Sequence, residues 1–376
     1  MIPVHNLYYL LSYAWDLLSE SGVAPISCDD SRSAPDMLAL MLAGGIESLG
    51  RRGLFRDYQP RVEETSRLKG RIDFVASVRR LRHRQATLVC HYDELGTDNL
   101  VNGILRTTLN RLLASNSING AVKQRLRDTA QVLGDVPAIS LNRGCFRRAV
   151  VTRHHRACRV ALLVCELLFE LAQPDASGKW HQFTNPWAAE GMPKLFEAFV
   201  RNFLKRHLPA ARVCARQFAW DAEGDTAEAQ SLIPVMKTDV TIEWGDERCV
   251  VLDCKFYENS FTESFDQLKL KSANLYQIAA YLHHHPHRAK GVPMHGILLY
   301  PCVEASFSHQ YRFMSHRLTV ASVDLDKQWQ TIHSRLLEIV GSSICVQSPA
   351  SPPPETVPVV RQGENPCVWI DRGHLK

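Results

Sequence analysis

The chain has 376 residues, of which 45% are hydrophobic, and a formal net charge of +5. That composition excludes a disordered chain, and the length suffices for two packed domains. No run of eighteen apolar residues occurs, and the opening MIPVHNLYYLLSYAW lacks the basic start, clean apolar stretch and small-residue cleavage site of a secretory signal. A soluble, cytoplasmic protein with no membrane partner is expected. The eleven cysteines are scattered with no C-x-x-C pair, which argues against a disulfide framework and against a zinc site.

In chain order, NLYYLLSYAWDLL is apolar nearly all round and predicts a buried helix. Its aromatic residues Tyr8, Tyr9, Tyr13 and Trp15 fit a packed core better than a partner surface. MLALMLAGGIESL predicts a second helix, interrupted or closely packed at Gly44 and Gly45. LFRDYQPRVEET and QATLVCHYDEL read as strands flanking GRIDFVASVRRLRHR, where apolar residues return at helical spacing. NLVNGILRTTLNRLLAS predicts a helix with Asp98 as its cap, and further helices are expected over about 122–133 and 160–172. Two basic clusters lie along this half: eleven Lys or Arg against four acids from Arg51 to Arg84, and six arginines with no acid in RGCFRRAVVTRHHRACR. Such clusters can follow a phosphate backbone or stay simply solvated.

QPDASGKWHQFTNP, residues 173–186, breaks the helical pattern and is the expected boundary. The expected division is 1–180, 181–345 and a Pro-rich flexible tail over 346–376. ASGKW imitates the end of a phosphate loop, but Trp180 replaces the Ser or Thr and the upstream glycine is missing, so this chain is not expected to bind nucleotide itself. Beyond the boundary, PKLFEAFVRNFLKRHL is amphipathic, with Leu195, Phe196, Phe199, Val200, Phe203 and Leu204 on one stripe and Glu197 at its margin. ARVCARQFAW, TDVTIEWGDERCVVLDCKFY, QLKLKSANLYQIAAYLHHH and HGILLYP follow as strand, hairpin, helix and strand. That order predicts an α/β unit with a mixed sheet flanked by helices, preceded by a mixed α+β half. The tract HHHPH (283–287) fits a helix end facing its dipole better than a metal site.

The hairpin places charge where strands normally bury carbon. Alternation sets Asp239, Thr241 and Glu243 on one face of the first strand and Val251, Asp253 and Lys255 on one face of the second. A three-residue loop of Gly245, Asp246 and Glu247 pairs Trp244 with Arg248 and therefore sets Asp239 opposite Asp253. A two-residue loop would send the carboxylates to opposite faces. Opposed like charges destabilise a sheet. The economical compensation is a hard dication, Mg²⁺ or Mn²⁺, held by Asp239 and Asp253 and completed by water and substrate phosphate. Lys255 projects from the same face, where it can orient a water or meet charge developing on phosphorus, which suits phosphodiester hydrolysis. The bland alternative is an exposed ion pair worth ~0–1 kcal/mol. It is weakened by the upstream acid, by Glu197, and by Asn274, Gln277 and Tyr281 along one side of the next helix.

The order Glu197, Asp239, Asp253-x-Lys255, Gln277 resembles the PD-(D/E)xK nuclease superfamily. Together with IPVHNLYYLLSYAW, LKGRIDF, TDVTI…VVLDCKFY and NLYQIAAYL, it makes the chain similar to the McrC family from about Ile2 to about Ile339. That family supplies the nuclease subunit of McrBC modification-dependent restriction systems. The resemblance implies a restriction-endonuclease-like C-terminal domain whose acids bind catalytic metal and whose lysine assists the attacking water. It implies supporting places for Glu197, Gln277 and Tyr281. It further implies an N-terminal half that projects into the ring of a hexameric AAA+ GTPase partner, McrB-like, and stimulates it, with 5-methylcytosine-containing double-stranded DNA as the target. Two departures stand out: Thr238, not proline, precedes Asp239, and the tail has no family counterpart. The rival readings are a stand-alone nuclease and a non-catalytic assembly subunit.

Overall fold

The computed structural model describes residues 2–17, 33–82, 87–152, 155–174, 180–185, 190–245, 247–257, 262–264, 267–286, 291–302, 306–314 and 316–344. The expected tail and most of ASGKW lie outside the described residues.

The first half opens with α1 (Val4–Ala14) and α2 (Ala34–Arg52). Ser33 caps α2 by accepting from the Asp36 N–H at 3.2 Å, with proline following in the first turn. The helix runs unbroken through Gly44 and Gly45. A Cβ at Gly45 would stand 3.2 Å from the Ala161 Cβ, so that glycine serves close helix packing. Next come β1 (Asp57–Thr65), β2 (Arg71–Ile72), α3 (Phe74–Arg82) and β3 (Leu88–Gly96), forming an antiparallel sheet in the order β1-β3-β2. Helix α4 (Leu100–Ala114) is capped by Asn99, whose Oδ1 accepts from the Asn102 N–H at 3.0 Å, and not by Asp98 as the sequence suggested. An amide does what a carboxylate cannot: Asn99 Nδ2 also donates to the Phe55 carbonyl at 2.9 Å and ties the helix start to the preceding loop. Then follow α5 (Gly120–Ala130), α6 (Arg143–Arg148), α7 (Arg156–Leu171) and the short pair β4 (Ala172–Pro174) and β5 (Trp180–Phe183).

The second half contains α8 (Met192–His207), β6 (Arg212–Cys214), β7 (Gln217–Phe218), α9 (Ala227–Leu232), β8 (Met236–Lys237), β9 (Val240–Trp244) and β10 (Arg248–Cys254). It continues with β11 (Thr262–Ser264), β12 (Gln267–Lys269), α10 (Ser272–His284), β13 (Met294–Cys302), β14 (Ser308–Phe313), β15 (His316–Asp324) and α11 (Trp329–Ile344). Its six-stranded sheet runs β14-β15-β13-β10-β9-β6, parallel along β10-β13-β15 and antiparallel elsewhere. This is the mixed, helix-flanked α/β sheet expected. The predicted helix QLKLKSANLYQ starts only at Ser272, because Gln267–Lys269 pairs with Thr262–Ser264 as a small ribbon.

One sheet face packs Val240, Ile242, Val250 and Leu252 with the α8 stripe, and the other packs Val251, Leu298 and Val320 with Ile278 and Leu282 of α10. Gly296 admits α10 closely, since a Cβ there would lie 3.0 Å from Leu282 Cδ1. Helix α1 joins the halves. Asn6 Nδ2 donates to the Leu325 and Lys327 carbonyls at 2.7 and 2.6 Å, and the Tyr13 ring meets those of Phe199 and Phe203. The aromatic group is therefore core. Among the described residues, no helix is long and apolar enough to cross a membrane.

Candidate active site

The hairpin register is the one that the alternation and loop length predict: Arg248 pairs with Trp244 and Leu252 with Val240, so the next step sets Asp253 against Asp239. Gly245 makes this turn with a φ of +56°, a left-handed conformation that glycine adopts without strain. Asp239 sits just before β9, where its Oδ2 accepts from the Cys254 N–H at 2.8 Å. That bond turns its carboxyl onto the Asp253–Cys254 peptide. Thr238 anchors this approach. Its hydroxyl accepts from the Arg216 N–H at 3.0 Å and lies 2.8 Å from the Thr241 hydroxyl.

Asp253 is fully buried, and Lys255 brings its ammonium to 2.8 Å from Asp253 Oδ2. The ammonium also donates to Gln277 Oε1 at 2.6 Å. Gln277 Nε2 donates to the Tyr281 hydroxyl at 2.8 Å, and that hydroxyl donates to the Lys237 carbonyl at 2.8 Å. Gln277 and Tyr281 are four residues apart on α10, so one helix face supplies both links. The chain of bonds ends on fixed backbone and holds the Lys255 head in place.

Burial pushes Asp253 up to about 7, with the Lys255 ammonium opposing the rise and the Asp239 charge adding to it. Burial likewise raises Asp239, against the Cys254 N–H and Lys255. Burial alone would lower the Lys255 ammonium, but Asp253 outweighs it and the net shift is upward. Glu197, half-buried on α8, is raised by burial and then by repulsion from Asp239. The sequence reading did not single out Arg201, whose Nη1 donates to the Asp239 carbonyl at 3.0 Å. Its signal was its position four residues after Glu197, on the same side of the helix.

These residues fit a divalent cation. No hydrogen-bond donor among the described residues reaches the buried Asp253 Oδ1, which leaves a polar atom that a cation would satisfy. Among the described residues no set of three His, Cys, Asp or Glu side chains is gathered to hold an ion, and Glu197 meets Asp239 as a like charge. Glu243, on the same strand face as Asp239, differs: Arg216 Nε lies 3.6 Å away and Arg212 Nη1 3.9 Å away, and the buried acid is met by cations of the chain itself. The histidine tract is also structural where described. His284 Nδ1 accepts from the Asp221 N–H at 3.2 Å, and His285 is buried 3.9 Å from Cys249 Sγ. The first basic cluster is partly neutralised by Lys69–Glu63 at 2.9 Å and Arg61–Glu94 at 3.3 Å.

A second unusual surface lies on the three-stranded sheet and α3. Tyr58, Val62, Leu68, Phe74, Val75 and Leu95 are between 46% and 71% exposed there.

A family model described as McrBC 5-methylcytosine restriction system component matches residues 5–301. Over 341 residues, 90% of this chain and 97% of the relative, the sequence is 29% identical to the Type IV methyl-directed restriction enzyme EcoKMcrBC of Escherichia coli (strain K12). The fold is similar, with a TM-score of 0.50 and 19% identity, to a chain in a half-complex from a tetradecameric assembly of Thermococcus gammatolerans McrB AAA+ hexamers with bound McrC. That likeness covers 91% of this chain and 76% of the other. With the family model spanning most of its length, the chain belongs to the McrBC 5-methylcytosine restriction system component family.

Proposed function

We propose that this chain is the metal-dependent DNA endonuclease subunit of a 5-methylcytosine-directed restriction complex, and that it docks onto and stimulates an AAA+ GTPase partner. The observation that carries the reading is the fully buried Asp253 carboxyl set opposite the partly buried Asp239, beside the single ammonium of Lys255. Asp239 and Asp253 would hold Mg²⁺ or Mn²⁺. When bound, such an ion supplies Lewis acidity at a phosphoryl oxygen and lowers the pKa of a water. Lys255, fixed by Gln277, is placed to orient the attacking water or to meet charge developing on phosphorus. Tyr281 locks Gln277, and Glu197 and Arg201 set the field around Asp239.

In this reading residues 181–345 are the nuclease unit and 1–180 the docking unit, with α1 clasping the two. The exposed apolar side chains on β1, β3 and α3, with Tyr58 and Leu95 paired across the strands, support docking there, because large apolar groups left in solvent mark interaction sites. The Thermococcus gammatolerans McrC is bound to AAA+ hexamers of McrB. Nucleotide hydrolysis belongs to the partner, and methylated double-stranded DNA is the substrate of the complex.

Asp253→Ala and Lys255→Ala are expected to reduce cleavage of methylated duplex DNA to background with partner, GTP and Mg²⁺ present, while leaving stimulation of the partner's GTPase intact. Cutting by either variant at the wild-type rate sinks the assignment. Robust cutting by the purified chain with Mg²⁺ alone would instead mean a stand-alone nuclease.

A further inference from the structure

Beside the carboxyl pair lies a cleft of about 500 Å³, walled by Trp220, Pro234, Val235, Met236, Tyr276 and Ala280, with Lys237, Gln277 and Tyr281 as its polar members. It arises from two local features. The β7–β8 ribbon pairs Phe218 with Met236, so that Trp220 and the segment Pro234–Lys237 emerge on one side. On α10, Tyr276 and Ala280 form a stripe one residue away from the Gln277–Tyr281 stripe that fixes Lys255, so one helix serves both spaces.

The wall is unusual for a free surface. Trp220 is 38% and Tyr276 74% exposed, and Val235 is exposed beside them. Trp220 is held edge-on to His284, with ring centres 5.2 Å apart, which limits the entropy it would lose on receiving a ligand. Lys237 is exposed at the cleft while its own carbonyl accepts from the Tyr281 hydroxyl. The cleft therefore combines two aromatic rings and a cation within the wall that also bounds the candidate catalytic centre. Aromatic platforms paired with cations are how proteins take single nucleotides, since every base has a π face and every phosphate a charge.

We propose that this cleft receives a nucleobase adjoining the scissile phosphate, stacked against Trp220 and Tyr276, with Lys237 meeting the neighbouring phosphate. The inference rests on the nuclease reading and deepens it. The DNA at the cut is locally unstacked, and the base is gripped by shape without regard to its identity. Gln277 couples the grip to the chemistry, because the same side chain lines the cleft and accepts from the Lys255 ammonium.

The test uses the full chain with its partner, GTP and Mg²⁺ on methylated duplexes, intact or with single abasic residues stepped through the cut region. Trp220→Ala and Tyr276→Ala are expected to raise the KM for intact DNA about 10-fold, the loss of one stacking contact. Cleavage of the duplex that is abasic at the seated position should not change, and Tyr276→Phe should restore the intact value. Leu232→Ala, exposed on α9 outside the cleft, should behave as wild type. Equal KM increases on abasic and intact DNA overturn the proposal, as does an unchanged KM in both alanine variants. Loss of GTPase stimulation with DNA affinity unchanged also overturns it, by assigning the surface to the protein partner. In each of these cases the wild type still cuts. Failure of the wild type to cut at all removes the nuclease reading instead.

Discussion

In the three-stranded sheet, strand β1 has no buried residue, whereas β13 of the six-stranded sheet buries eight of its nine. The first is held by its backbone ladder and by exposed polar contacts such as Lys69–Glu63 at 2.9 Å and the Tyr92 hydroxyl to Glu63 at 2.7 Å. Exposed pairs of that kind contribute little, ~0–1 kcal/mol each. The second is covered on both faces by helices, as parallel strands require. Apolar side chains on the small sheet face solvent, while acids on the large sheet are buried. Each sheet departs from the ordinary pattern at one place, and places where a protein breaks its own pattern are where function is sought: the proposed docking surface on the small sheet and the proposed metal site on the large one.

Truncation sharpens the contrast most. Leu298→Ala, at a fully buried position of β13, is expected to cost about 2–5 kcal/mol in stability, read by denaturant unfolding. The paired exchange Val62→Asp with Phe74→Asp, at exposed positions, should move stability by no more than about 0.5 kcal/mol. Its effect should appear elsewhere, as a loss of partner GTPase stimulation of at least about 10-fold, the ordinary scale for a hot-spot contact. A collapse in stability would show that these side chains belong to a core of their own, and undiminished stimulation would place docking on another surface.

Legibility in the sequence follows the same divide. The hairpin register can be read because alternation and a Gly-containing loop are local, and the α8 stripe because six apolar residues recur at helical spacing. Strand β14 is mostly polar and exposed and is a strand because β15 offers it an edge, so no local pattern announces it. β15 and α11 carry no expectation from the sequence, and the expected start of α10 falls early because Leu268 and Leu270 continue an apolar rhythm that ribbon pairing overrides. At the site, Asp239, Asp253, Lys255, Gln277 and Tyr281 all come together. Arg201 and Trp220 escape notice because a cation on a helix and a lone aromatic in a loop are ordinarily solvated or packed. Only the fold shows that they border the carboxyl pair and its adjoining cleft.

The smallest expected effect tests the proposed metal site in the large sheet. Asp253 in the fold is raised to about 7, above the ordinary carboxylate range near 4, so between these values the folded chain holds a proton that the unfolded chain has released. Without divalent ions, that group makes stability decline as pH rises from about 4 to about 7, and the decline is complete above 7. Asp253→Asn cannot titrate, so its melting temperature should fall less across this window, by on the order of 2 °C, whatever offset the substitution itself introduces. Mg²⁺ competes with the proton for the same oxygens, so its stabilisation of the wild type should grow with pH through about 7 and be absent from Asp253→Asn. Equal Mg²⁺ stabilisation in both proteins at every pH would mean that the ion binds elsewhere, and that Asp239 and Asp253 oppose each other for a reason unrelated to metal.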